Sequence, residues 1–92
     1  MIPRDSIETA YCFFHQKWRV YEHSTLDWQR DDIEVAIADY VDGMNPLLYK
    51  TIGDGDAEFL RVHRRFASDM TLALERLERL SEEAQRGYSS KA

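Results

Sequence analysis

The sequence has little that would cross-link or break up a chain: one cysteine, two prolines and four glycines among 92 residues. A single cysteine excludes an internal disulfide and any zinc site built on two or more cysteines of one chain. No apolar run approaches the roughly 20 residues that cross a bilayer. Charged residues interrupt the N-terminus, so no secretory signal is expected. These absences favour a cytoplasmic protein without a membrane-bound part.

The composition indicates one small globular domain. Hydrophobic residues make up 43% of the chain and charged residues 32%, proportions typical of folded proteins rather than disordered ones. The length suits one hydrophobic core and not two. We therefore expect a single helical domain over residues 1–92, with residues 1–4 and 88–92 frayed.

The net charge of −5 is distributed unevenly. Residues 24–58 carry a net charge of −7, whereas residues 59–92 carry +2. An acidic domain argues against general nucleic-acid binding, which needs a basic face for phosphate. The asymmetry predicts that the acidic middle of the chain faces the arginine-rich last segment, within a chain or between chains. Pairing with helix two is the expected role of the basic cluster formed by Arg61, Arg64 and Arg65.

Two helices are predicted in the first half of the chain. The first has Asp5 as its N-cap and a side formed by apolar residues at three- and four-residue spacing, and it extends to about His23. Ser24 or Thr25 is expected to cap the second helix. That helix has one apolar stripe and a solvated acidic face on its other side.

A short third helix and a loop are predicted next. Asn45 followed by Pro46 combines an N-cap with a proline at the first helical position, which is a strong signal for a helix start. The helix is expected to end at Gly53. The glycines and aspartates of residues 53–56 then predict a loop.

The last helix is predicted to be the longest, from about Asp56 to Arg86, with Gly87 as its end. Its apolar residues alternate four and three apart as in a coiled coil; we call this row the C-terminal seam: Phe59, His63, Phe66, Met70, Ala73, Leu77, Leu80 and Ala84. About 30 residues extend roughly 45 Å, longer than either preceding main helix at roughly 30 Å. The expected fold is an all-α irregular bundle of three main helices and one short helix.

The length of this seam predicts a homodimer, because two shorter helices cannot cover it. Part of the seam is then the expected interface: Phe66, Met70, Ala73, Leu77 and Leu80. His63 is a polar residue in this row. It is expected to be a hydrogen-bonded core histidine, or else a residue that sets the register or pH sensitivity of assembly.

Four carboxylates of helix two give an alternative, catalytic hypothesis. They form two i,i+3 pairs: Asp31 with Glu34, and Asp39 with Asp42. The pairs resemble the magnesium-binding carboxylates of all-helical nucleotide pyrophosphatases, which implies a Mg²⁺-dependent hydrolase acting on a nucleotide. In those enzymes, however, the pairs lie on different helices. Here they follow each other on one helix, which favours a solvated surface.

Other catalytic or cofactor sites have little support in the sequence. Cys12 and His15 have a spacing that suits two metal ligands, but no third ligand is near in sequence, and a small buried cysteine is the simpler interpretation. No P-loop, dinucleotide fingerprint or nucleophile-elbow motif is present. We therefore expect a non-enzymatic interaction or regulatory module without a cofactor, which associates with itself or with another protein.

Overall fold

The computed structural model describes residues 2–89, with side chains described up to residue 85. Over these residues the fold is all-α, without strands, which confirms the predicted small bundle with a long C-terminal helix. A 3-10 turn at His63–Arg65 precedes the last of four helices: α1 Arg4–His23, α2 Asp27–Gly43, α3 Pro46–Ile52 and α4 Phe66–Ser89. None of the described helices has the combination of length and apolar character that crossing a membrane requires.

Helix α1 begins one residue before the predicted N-cap, so the prediction of Asp5 as the cap is wrong. Pro3 is the N-cap, since its ring fixes φ near the helical value and its carbonyl accepts the Ser6 and Ile7 N–H groups at 3.1 and 3.3 Å. Of the residues predicted to be frayed, Arg4 lies in α1 and residues 88–89 lie in α4. Residues 1 and 90–92, also predicted to be frayed, lie outside the described residues.

The connection between α1 and α2 is short and held by Ser24. Its N–H group donates to the Tyr21 carbonyl, closing α1. The buried Ser24 hydroxyl accepts the Leu26 N–H at 3.3 Å, and its carbonyl accepts from Arg30 Nε at 3.1 Å. Leu26 is the N-cap of α2. The prediction that Ser24 or Thr25 caps α2 is therefore wrong. The Ser24 hydroxyl instead stabilises the turn that precedes the first residue of α2.

Helix α3 begins and ends as predicted. The Asn45 side-chain oxygen accepts the N–H groups of Leu47 and Leu48 at 2.9 and 3.3 Å, and Pro46 is the first helical residue. Gly53 is the C-cap. These bonds satisfy two of the N–H groups that a helix start leaves without partners.

The predicted continuous helix from Asp56 to Arg86 is wrong, because α4 begins only at Phe66. Residues 53–62 form successive turns instead. Leu60 has φ +65°, a left-handed conformation that a helix excludes. Its N–H group donates to the buried Asp69 carboxylate at 3.0 Å, and the Tyr49 hydroxyl donates to the Phe59 carbonyl at 2.6 Å.

The hydrophobic core lies mainly between α1 and α4. The rings of Tyr21, near the end of α1, and Phe66, at the start of α4, lie 5.2 Å apart, so the two helices are antiparallel. Helices α2 and α3 and the turns of residues 53–62 add further side chains to this core, among them Ile37, Ile52 and Phe59.

Most of the C-terminal seam lies inside this core. Four of the five predicted interface residues are at most 1% exposed within a single chain: Phe66, Met70, Ala73 and Leu77. Leu80 is partly buried and packs against the same cluster. These residues are covered within one chain because α4 begins later than predicted and packs along α1. Self-association through this seam therefore loses the packing argument on which it depended and stays an untested prediction.

Candidate functional site: the outer face of helix α2

Helix α2 presents apolar side chains on two opposite sides. One side contributes Ile33, Ile37 and Val41 to the core. On the other, Trp28 is 63% exposed and Val35 is 60% exposed. Since these two residues are seven apart, or about two turns, they lie on the same face of the helix.

Acidic side chains surround this exposed apolar pair. Asp32 and Asp39 lie four residues beyond Trp28 and Val35, respectively, and both are exposed. Spacings of four, seven and eleven residues place all four side chains on one side of the helix. We call these residues the α2 outer face: Trp28, Asp32, Val35 and Asp39.

A cluster of possible metal ligands borders this face. His63 Nδ1 donates to the Glu34 carboxylate, at 2.9 Å from each oxygen. Ligand atoms of Asp31, Glu34 and His63 all lie within 4.8 Å of one another; we call these three residues the His63 cluster. The hydrogen bond to Glu34, its negative charge and more weakly that of Asp31 raise the pKa of His63 above its usual 6.5.

His63 is therefore neither a core residue nor part of a helical seam. Its side chain is 78% exposed, which contradicts the expected core position. The reason is that the turns of residues 53–62 interrupt the predicted helix. His63 therefore lies in the 3-10 turn before α4, and its ring points toward α2. A role as a switch at a C-terminal interface has no support from this position.

The four carboxylates of the catalytic hypothesis do not form one site. Asp31 and Glu34 approach His63, whereas Asp42 Oδ1 accepts from Arg61 Nη2 at 2.6 Å. Asp39 lies on the outer face of α2, and no group of metal ligands within the described part of the chain includes it. The structure thus brings together one predicted pair and separates the other.

Most of the basic cluster forms ion pairs within the chain. Arg61 pairs with Asp42 of α2, as the charge asymmetry predicts. Arg65 instead pairs with Asp56 and, at 3.6 Å, with Asp69. The hydrogen bond from Arg65 lowers the pKa of Asp56 below its ordinary value. Two of the three predicted basic residues are therefore engaged in ion pairs that hold the turns of residues 53–62 to the helices.

The Cys12–His15 pair lines an open groove on α1. Cys12 is exposed, so the prediction that it is buried is wrong. The His15 ring stacks on Tyr11 with centroids 5.7 Å apart, and His23 Nδ1 donates to the Arg19 carbonyl at 2.8 Å. Among the residues whose side chains are described, no third ligand completes a metal site with this pair.

Comparison with known proteins adds no family or relative to this picture. The chain matches no family model, and the comparisons with curated proteins and with solved structures give no match. Any functional proposal therefore depends on the geometry and chemistry of the residues themselves.

Proposed function

We propose that this protein is a small non-enzymatic interaction module that binds a basic partner protein through the α2 outer face. The observation that carries the proposal is the exposure of Trp28 and Val35 on one face of α2, away from the core. Scattered single hydrophobic residues are normal on protein surfaces, but tryptophan is enriched among the residues that dominate binding energies. An exposed apolar pair with a polar rim is typical of an interface centre.

The exposed area of Trp28 can supply one substantial contact in such an interface. A tryptophan side chain buries about 150–250 Å², and roughly 63% of that area is open here. At about 25 cal/mol per Å², covering Trp28 alone contributes up to about 4 kcal/mol. This is more than a hundredfold in a dissociation constant.

The charge around the pair favours a partner with lysine and arginine side chains. Asp32 and Asp39 flank the apolar residues, within a segment that carries a net charge of −7. These charges repel nucleic acid phosphates. They also repel the same face of a second copy, since a two-fold axis would bring like charges together. A basic surface with an apolar pocket is complementary to both features.

The alternative of a Mg²⁺-dependent nucleotide hydrolase has weaker support. Its two carboxylate pairs do not converge on one ion, and Asp42 is engaged by Arg61. The remaining pair, Asp31 and Glu34, lies on the surface of α2 beside the exposed side chain of His63. The catalytic hypothesis depends on carboxylates that converge on one ion, whereas an interaction module does not.

Site-specific photo-crosslinking tests the proposed face. A benzophenone amino acid replaces Trp28 in one variant and Leu72 of α4 in a control, since Leu72 is also an exposed apolar residue, at 37%. We expect position 28 to crosslink one partner protein in the cells that produce this chain, through a peptide rich in lysine and arginine. Changing Asp32 and Asp39 to lysine in the same variant is expected to remove the crosslink.

Three results would count against the proposal. They are equal crosslinking from positions 28 and 72, crosslinks only between copies of this chain, and a product that survives the two aspartate-to-lysine changes. Circular dichroism of each variant verifies that the helices are intact, since all the altered residues are exposed.

A further inference from the structure

We propose that Asp31, Glu34 and His63 bind a divalent transition-metal ion of the Zn²⁺ type. Imidazole nitrogen and carboxylate oxygen are both ligand types that Zn²⁺ accepts, and a site with three protein ligands leaves a fourth position for water. The imidazole favours Zn²⁺ or Co²⁺ over Mg²⁺ and Ca²⁺, which prefer oxygen ligands alone. The site uses none of the residues of the α2 outer face, so it does not depend on the proposed function.

The three ligands come from two elements that the fold brings together. Asp31 and Glu34 are one turn apart on α2, which places their carboxylates on the same side of the helix. His63 comes from the 3-10 turn, 29 residues after Glu34, and already contacts both oxygens of its carboxylate at 2.9 Å. A surface patch of acidic residues alone lacks such an imidazole from a separate element.

The separations require little rearrangement to accept an ion. At bond lengths of about 2.0–2.1 Å, tetrahedral geometry places ligand atoms roughly 3.3–3.5 Å apart. The present separations are at most 4.8 Å, so a movement of little more than 1 Å is needed. Asp31 is exposed and can supply it by a change of rotamer. The ion then replaces the present hydrogen bond as the bridge between His63 and Glu34.

The backbone around the site is fixed from both sides. Arg61 pairs with Asp42 of α2 at 2.6 Å, and Arg65 pairs with Asp69 of α4 at 3.6 Å. His63 lies between these two anchored arginines. The Glu34 side chain is only 16% exposed, which limits its freedom. Preorganised ligands reduce the cost of ordering on binding.

Isothermal titration with ZnSO₄, using the full chain without a histidine tag, tests this site. We expect one ion per chain. Loss of an outer-shell partner commonly weakens metal binding about 10- to 100-fold, so loss of a direct ligand in His63→Ala or Glu34→Gln is expected to weaken it at least tenfold. With Co²⁺, the bound ion is expected to give visible absorption bands that both variants lose.

The matched control is the double variant Cys12→Ala/His15→Ala, which removes the cysteine–histidine pair on the surface of α1. It is expected to bind Zn²⁺ with unchanged affinity, as is Asp39→Asn. The proposal is overturned if the wild-type chain does not bind Zn²⁺ at micromolar concentrations. It is equally overturned if His63→Ala binds as tightly as the wild type, or if the α1 double variant loses binding. Since the exposed His63 contributes nothing to the core, His63→Ala is expected to keep its helical circular dichroism.

Discussion

Leu77→Asp is expected to unfold the protein rather than to release monomers from a dimer. Leu77 is completely buried in α4 within a single chain. Removing a buried leucine costs about 2–5 kcal/mol, and a buried unpaired carboxylate adds several more. The sum is comparable to the whole stability of a small domain, about 5–15 kcal/mol. Circular dichroism and thermal melting measure the loss of helix and of the cooperative transition.

Leu72→Asp is the control for this variant, because it places the same charge on the same helix at a side chain that is 37% exposed. It is expected to retain helicity and to melt within a few degrees of the wild type. A Leu77→Asp protein that keeps native helicity and sediments as a monomer would contradict the internal position of the C-terminal seam. That result would restore the dimer interface predicted from the periodicity.

Asp69→Ala is expected to destabilise the protein by about 1–3 kcal/mol. Asp69 is 3% exposed, and its carboxylate accepts the N–H group of Leu60 at 3.0 Å. Without it, this buried N–H loses its partner, at a cost of about 1–3 kcal/mol. Leu60 also has a left-handed backbone conformation, and the lost bond is one that holds it there. Urea denaturation measures the change in the free energy of unfolding.

Two variants make the Asp69 result interpretable. Ser68→Ala alters an exposed neighbour on the same helix and is expected to change stability by less than about 0.5 kcal/mol. Asp69→Asn keeps an oxygen that can accept the Leu60 N–H, so its loss is expected to be smaller than that of the alanine variant. Equal stability of Asp69→Ala and the wild type would mean that the turns of residues 53–62 are held by other contacts.

The parts of the fold that local chemistry determines could be predicted from the sequence. The helix start at Asn45 and Pro46 depends on a side-chain oxygen two and three residues from its partners, which the sequence shows directly. The break before α4 could not be predicted in this way. Phe59 lies in a turn and yet is as fully buried as a core residue of a helix. The apolar spacing therefore continues through a segment whose conformation is fixed by Tyr49 and Asp69.

The candidate sites, like the fold, could be predicted from the sequence only in part. The i,i+3 spacing of Asp31 and Glu34 marks one ligand pair in the sequence, but the approach of His63 depends on the turns between α3 and α4. Trp28 and Val35 have helical spacing on the acidic side of α2, which is a detectable signal. Whether such a pair faces solvent depends on which sides of α2 the other helices cover, and tertiary packing decides this.

The exposure of Trp28 is the central claim, and the fluorescence of a Trp18→Phe variant tests it most directly. Trp18 is partly buried and stacks on Tyr21, and phenylalanine keeps an aromatic ring there, so Trp28 remains as the only tryptophan. We predict emission and acrylamide quenching close to those of a tryptophan free in water, unchanged as the protein concentration rises. Blue-shifted emission that acrylamide does not quench would show that Trp28 is covered, and would contradict an α2 outer face open to a partner.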